Sequence, residues 1–398
     1  MSAQRLVIIG HSYSSRLGLI RSSAMAGCDV SVVVMVGGEK KRARPIDCYS
    51  QFVKHFYFCR RKKDEELIRL LLENCKDDEQ KVILIPDSDE TAAAIDSNRD
   101  RLKEHFLFPH MVKGKGTVRE WMDKSRQKQL AAEVGLNVAS ASIVEIKEGR
   151  YKIPSDISYP CFTKPLLTLS GGKGGMRRSD NEMELCSALD YIVKYRSGDE
   201  QVLVEDYLDI AKEYALVGFS DGNKVIIPGL FQLLIISKSS PGIAVQGRVI
   251  PTDGFESVLN LFKEFVRRTG FVGLFDIDFF LCRGEYYFGE MNLRFGGSGY
   301  AMTKMGVNLP EMMIRFLSGE EWETNHQTVT ESATYVNERL CFDDWNRGLI
   351  SWEEYSRIMR ESKIHFVQDN MDKCPWKTYM RIVNARRVIK KVKGLFRK

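Results

Sequence analysis

Three short, almost wholly apolar runs, Leu6-Val-Ile-Ile9, Val30-Ser-Val-Val-Val-Met35 and Val82-Ile-Leu-Ile85, mark the N-terminal third of the chain. Runs of this length without polar alternation predict strands covered on both faces, as in a parallel sheet. Helical periodicity around Leu17 to Ala26 and Asp64 to Cys75 falls between them. The expectation is an α/β fold whose first 115 residues form a doubly wound unit.

A segment rich in Lys and Gly, Val112-Lys-Gly-Lys-Gly-Thr117, opens a second region. There the pattern predicts a helix from Asp123 to a glycine stop at Gly135, strands at Ser142 to Ile146 and Cys161 to Lys164, and a helix near Asn181 to Tyr195. Strands at Gln201 to Glu205, Tyr214 to Phe219 and Val225 to Ile236 follow, then a helix over Glu256 to Thr269.

The strand Val272 to Leu281 is largely apolar yet carries Asp276 and Asp278, and Phe288 to Gly299 beyond it carries Glu290, Asn292 and Arg294. Side chains two apart on a strand share a face. A reversal centred on Gly284 sets position 278 opposite 290 and 276 opposite 292, which gathers the acids and Asn292 into one patch. Buried carboxylates in that number need a cation, and oxygen-only donors favour a hard ion such as Mg2+ that also meets substrate phosphates. Mn2+ suits the same donors.

Charge is unevenly placed. The net +6 of the 398 residues arises from the tail, because Lys377 to Lys398 holds nine Lys or Arg and no acid. The body therefore carries no basic footprint for nucleic acid. Nine cysteines without a C-x-x-C spacing argue against a disulfide framework or thiolate zinc site and for a reducing, cytoplasmic setting. The sequence offers no span for a membrane and is compatible with an oligomer.

Two loops occupy the positions where open sheets meet ligands: Gly10 to Gly18, with His11, Ser12 and Arg16, and Pro86 to Glu90, with Ser88 and Asp89. His11 and Arg16 equally suit plain turn and helix-start roles. The glycine-rich Ser170 to Arg177 loop can cover phosphates, and Lys164 ends a strand beside it. Taken in order, Asp123-Lys124, Pro160 to Lys164, the Gly171 to Gly175 loop, Glu205 to Leu208, Lys212-Glu213, Asp278 and Glu290 to Arg294 resemble the ATP-grasp superfamily over roughly residues 1–320.

That resemblance implies ATP as cofactor with Mg2+, and a pre-ATP-grasp domain over residues 1–115 ahead of an ATP-grasp domain over 116–322. A lid lobe over about 140–206 with its loop at 170–175, a metal lobe over about 207–322 and a mainly helical extension over 323–398 complete the expected plan. Lys124 and Lys164 resemble the family's phosphate lysines, with Gly171, Gly172, Gly174 and Gly175 covering the phosphates. Glu205 with the Tyr207-Leu208 backbone resembles the adenine hinge, and Glu213 the ribose ligand. Asp278, Glu290 and Asn292 resemble the metal ligands and Arg294 the acyl-phosphate arginine, while Asp276 has no standard role.

The narrower likeness is to bacterial carboxylate–amine ligases, D-aspartate ligases among them, whose substrates are a small carboxylate and an amine. His11, Ser12, Arg16, Ser88, Asp89, Gly297 and Ser298 are then the substrate candidates. An ATP-grasp carboxylase or carbamoyl-phosphate-type enzyme, and a non-catalytic nucleotide-binding protein, are the competing readings. Residues 325–376, with Trp345, Trp352 and Trp376, are expected to be helical and carry no assigned task.

From Arg381 to Lys398 the apolar residues Ile382, Ala385, Val388, Ile389, Val392, Leu395 and Phe396 fall on one arc of a helix, with all basic residues but Arg381 elsewhere. This is the pattern of an interfacial helix on anionic lipid, and also that of a terminal helix packing on its own domain. The first reading would set the enzyme beside envelope or polysaccharide precursors.

Overall fold

The three apolar runs do form the centre of a parallel sheet, because helices cover both of its faces. The computed structural model describes residues 3–11, 13–37, 44–167, 176–195, 198–323 and 327–395. Strands β1 (Arg5–Gly10), β2 (Asp29–Val36), β3 (Val53–Arg60), β4 (Val82–Pro86) and β5 (Phe106–Leu107) pair in parallel in the order β3-β2-β1-β4-β5. β3 is absent from the apolar pattern because it lies at the sheet edge, where Lys54 and His55 stay exposed. Short β6 (His110–Met111) leaves this unit to pair with a later strand.

A second sheet, in the order β10-β9-β11-β7-β8, is built from β7 (Ala141–Lys147), β8 (Arg150–Tyr151), β9 (Cys161–Pro165), β10 (Arg177–Ser179) and β11 (Glu200–Asp206). It has its own small core, in which Val144, Cys161, Val202 and Val204 meet Leu185, Leu189 and Ile192 of the helix Glu182–Tyr195.

The third sheet has nine strands. β12 (Lys212–Asp221), β13 (Val225–Ile226), β14 (Leu230–Ile236), β15 (Ala244–Ile250), β16 (Phe271–Cys282) and β17 (Glu285–Asn292) are joined by β18 (Ala333–Val336) and β19 (Ile364–His365). The run Val225 to Ile236 reads as one strand in sequence but is two, because Pro228 cannot donate to a ladder. The C-terminal extension continues this sheet: β18 pairs antiparallel with β15, and Trp345, Trp352 and Trp376 gather around Tyr355 and Tyr379 in a core of their own.

The β16–β17 hairpin decides where the acids lie. Its turn is Arg283-Gly284, with φ of 51° and 84°, a two-residue reversal whose positive φ values match the twist of the strands. That turn pairs Cys282 with Glu285 and Phe279 with Phe288, one register short of bringing Asp278 opposite Glu290. A bulge at Gly289 makes up the difference, so Asp278 pairs with Glu290 and Asp276 with Asn292. β12 extends the same face by setting Ala215 opposite Asp278 and Glu213 opposite Phe280. The other face, with Leu216, Ile277 and Met291, packs on Phe262 and Phe265 of the helix Glu256–Thr269.

Gly289 is fixed by space, since a Cβ there would lie 2.7 Å from the Asp278 carbonyl oxygen and 2.9 Å from the Phe280 ring. Gly289→Ala is expected to lower stability in urea unfolding by roughly 1–3 kcal/mol. Gly297→Ala, whose added carbon meets nothing within 4 Å, should leave the unfolding midpoint unchanged.

Candidate functional site

One face of the helix Lys124–Glu133 assembles much of the site. Asp123 caps it by accepting from the Ser125 and Arg126 N–H groups. Lys124, Gln127 and Lys128, three and four residues apart, then project to one side and are all buried. Lys124 Nζ lies 3.2 Å from Glu290 Oε2. The Gln127 amide donates to the Met291 carbonyl and accepts from its N–H, both at 2.8 Å, which pins β17 between Glu290 and Asn292. Lys128 Nζ reaches Glu205 Oε1 at 2.8 Å, and Lys164 Nζ reaches the other oxygen at 2.7 Å.

Glu205 thus sits between two lysines from different lobes. Burial lowers the affinity of Lys128 for its proton, as does Lys164, while Glu205 opposes both. Gln127 and Lys128 were not legible as site residues in the sequence, because polar residues on a helix normally read as a solvated face. The signal that marks them is the three-and-four spacing from Lys124.

The hairpin acids differ in how they are compensated. Asp278 is pushed well above the usual carboxylate range by burial first, then by Asp276 and Glu290. Asp276 is raised to about 6 by burial, offset by Arg294. Glu290 moves the other way: burial would raise it, but Lys124 and Lys164 outweigh that and hold it low. Asp278, Glu290 and Asn292 form an oxygen donor set on paired strands, with negative charge that Arg294 only partly offsets. That chemistry fits a hard divalent cation. Among the described residues no three His, Cys, Asp or Glu side chains are grouped so as to hold a metal ion by themselves.

Arg294 joins two parts of the molecule. Its Nη1 lies 3.3 Å from Asp276 Oδ2 and its Nε 3.7 Å from Asp89 Oδ1, the latter at the first position of the helix that follows β4. Asp89 is raised by burial, with Arg294 opposing. Ser88 is the N-cap of the helix Asp89–Ser97, with its Oγ 3.4 Å from the Thr91 N–H. Gly297 faces open space, and Ser298 Oγ is 3.2 Å from the Tyr335 hydroxyl of β18.

The N-terminal candidates divide. Arg16 is 1% exposed and is spent on Asp47 Oδ2 at 2.5 Å and the Gly10 carbonyl at 2.7 Å, so it supports the loop from below. Asp87 shares that guanidinium from 3.6 Å, and burial raises it to about 7, since one cation faces two acids. The His11 backbone N–H donates to Asp87 Oδ1, and its imidazole pKa is lowered by partial burial of the ring first and then by Arg61. Ser12 and the glycines Gly171, Gly172, Gly174 and Gly175 lie outside the described residues.

In the segment expected to form the adenine hinge, the Tyr207 N–H donates to the Pro160 carbonyl at 2.9 Å and is thereby taken up within the protein. The Tyr207 ring is covered by Arg178 at 4.4 Å. Glu213 lies on the same sheet face as Asp278, two residues along β12 from the position opposite it.

Comparison with known proteins agrees with this geometry. Residues 123–324 match the family described as Carbamoyl-phosphate synthase L chain, ATP binding domain. The chain is 24% identical over 217 residues to the carbamoyl phosphate synthase large chain of Agathobacter rectalis, covering 52% of this chain but only 20% of that one. It is 27% identical over 215 residues to a D-alanine–D-alanine ligase of Streptococcus gordonii, covering 50% of this chain and 60% of the relative. The chain thus spans less than two thirds of either relative. An L-amino acid ligase from Bacillus licheniformis has the same fold, with a TM-score of 0.61 at 15% identity over 84% of this chain and 79% of that one. With the family match covering half its length, and with Lys124 in contact with Glu290 and Lys164 with Glu205, the chain belongs to the family described as Carbamoyl-phosphate synthase L chain, ATP binding domain, within the ATP-grasp superfamily.

Proposed function

We propose that this protein is an ATP-dependent carboxylate–amine ligase that forms an amide through an acyl phosphate, releasing ADP and phosphate. The observation that carries the reading is Arg294, held between Asp276 of the hairpin and Asp89, which opens the helix after β4 of the N-terminal unit. It stands where the ATP side of the cleft meets the substrate loops.

Charge dictates the first step. A carboxylate oxygen attacks the γ-phosphorus and the bond to ADP breaks, which requires two anions to approach. Lys124, Lys164 and Arg294 supply fixed positive charge at that point. Asp278, Glu290 and Asn292 would hold Mg2+, whose bound charge supplies further neutralisation of the phosphates. The amine, bound as its cation and attacking as the neutral form once a proton has been lost, adds through nitrogen to the acyl carbon. The carbon–oxygen bond to phosphate breaks and the nitrogen's surplus proton passes to the departing phosphate or to water, while the sheet carrying Lys164 shields the acyl phosphate from hydrolysis.

The substrate side is acidic. Asp89 Oδ1 is buried without a hydrogen-bond donor among the described residues, and Asp87 and Asp276 lie nearby around Arg294 and Arg16. Such a surface suits a cationic amine and favours it over the bicarbonate of a carboxylase, which shares only the ATP half of the site. Similarity to a D-alanine–D-alanine ligase and an L-amino acid ligase supports an amino acid as one substrate.

ADP release should appear only when an amino acid and a carboxylate are supplied together, screened over D- and L-amino acids. Glu290→Gln is expected to lower that turnover by about 100-fold or more; undiminished turnover would show the mechanism to be wrong. Gln127→Leu touches no reactant but leaves the Met291 N–H and carbonyl unpaired in the interior, at a cost of about 1–3 kcal/mol in urea unfolding. Its kcat should fall with little change in the KM for the amino acid, whereas a purely structural role would reduce only the folded fraction.

A further inference from the structure

The helix Lys373–Leu395 has two apolar faces that point in opposite directions. Trp376, Tyr379, Met380 and Val383, spaced three and four apart, pack into the core around Tyr355 and Trp352, with Tyr379 and Val383 1% and 0% exposed. Arg387 continues that side, its guanidinium 4.2 Å from the Trp352 ring centre. Ile382, Val388, Ile389 and Val392 are 42%, 62%, 45% and 44% exposed. At about 100° per residue their arc lies roughly opposite the packed one. The stripe therefore does not pack on its own domain, and the body lies on the far side of the helix from it.

We propose that this outward stripe seats the protein on the surface of an anionic bilayer, with the helix lying in the interface plane and the body held away from the lipid. Among the described residues no helix is long and apolar enough to cross a membrane, which leaves the surface mode. Exposed Arg381 falls within the arc of the stripe and exposed Arg386 beside it. Long cationic side chains at those positions reach phosphates while the aliphatic groups enter the acyl boundary. A second copy is the competing occupant, since Ile382, Ala385, Ile389, Val392 and Phe396 also have heptad spacing. Charge decides between the two: nine Lys or Arg and no acid from Lys377 onward repel an identical helix and attract an anionic surface.

The test is sedimentation of the full chain with vesicles of phosphatidylcholine alone or in equal mixture with phosphatidylglycerol, with light scattering in parallel. The comparison chain ends after Asn384, which keeps the buried Tyr379 and Val383; a second carries Val388→Ser, Ile389→Ser and Val392→Ser. The full chain should sediment with the phosphatidylglycerol vesicles and release from them in high salt. Both altered chains should bind about tenfold less or weaker, since the aliphatic contact is lost. All three should form ADP equally in vesicle-free buffer. Equal sedimentation of the shortened chain, or a dimer that the serine substitutions dissolve without any vesicle binding, overturns the proposal.

Discussion

Asp276, Asp278 and Glu290 share one face of one buried sheet, and most of the cleft can be understood as the response to that charge. Isolated carboxylates in an apolar interior are costly, and each must find a cation or keep its proton. The cations arrive from separate elements: Lys124 from a capped helix, Lys164 from the second sheet, and Arg294 from the segment leaving β17. None is next to the acids in sequence except Arg294, so the electrostatics close only when the lobes are assembled. Asp278, a candidate ligand for the metal, is held well above its ordinary range by burial, with Asp276 and Glu290 adding to it.

The sequence made the pairing of Asp278 with Glu290 legible, though by a route different from the one folding takes. A reversal centred on Gly284 gives the observed pairs; the actual turn lies half a residue earlier, and the bulge at Gly289 restores the offset. The pattern of acids two apart survives either route, because a strand's period is two. The parallel core was readable because its strands are apolar on both faces. β3 was not, since an edge strand is only half covered. Lys124 and Lys164 were readable by resemblance, whereas Gln127 and Lys128 act through tertiary contacts with Met291 and Glu205 that no local pattern encodes.

Residues 325–376, to which sequence reasoning assigned no task, tie the N-terminal sheet to the segment beyond the hairpin. Arg21 of the helix Tyr13–Met25 is wholly buried and donates to the Phe366 and Val367 carbonyls and to Asp372. Glu338, also buried, accepts from the N–H groups of Phe366, Val367 and Gln368. Tyr300 donates to Asp369 at 2.7 Å, just past the Arg294 to Gly299 segment. Breaking such buried pairs is expensive, so they define one arrangement of the N-terminal sheet against the hairpin. Asp89 and Arg294 are thereby held in reach of each other although they belong to different sheets.

None of these buried bonds reaches the sheet spanning β7 to β11. That sheet keeps a core of its own, Val144, Cys161, Val202 and Val204 against Leu185, Leu189 and Ile192. Its charge link to the base is Glu205, which with Lys164 belongs to the lobe, while Lys128 belongs to the helix below. A phosphate entering between Lys124 and Lys164 would compete with Glu205 for Lys164 and with Glu290 for Lys124. The same event would then loosen Lys164 from its carboxylate partner in the lobe and free Glu290 to face a cation. Nucleotide binding and release of the hairpin carboxylate are on this account one electrostatic exchange, with the lysines changing partners rather than new charge being brought in.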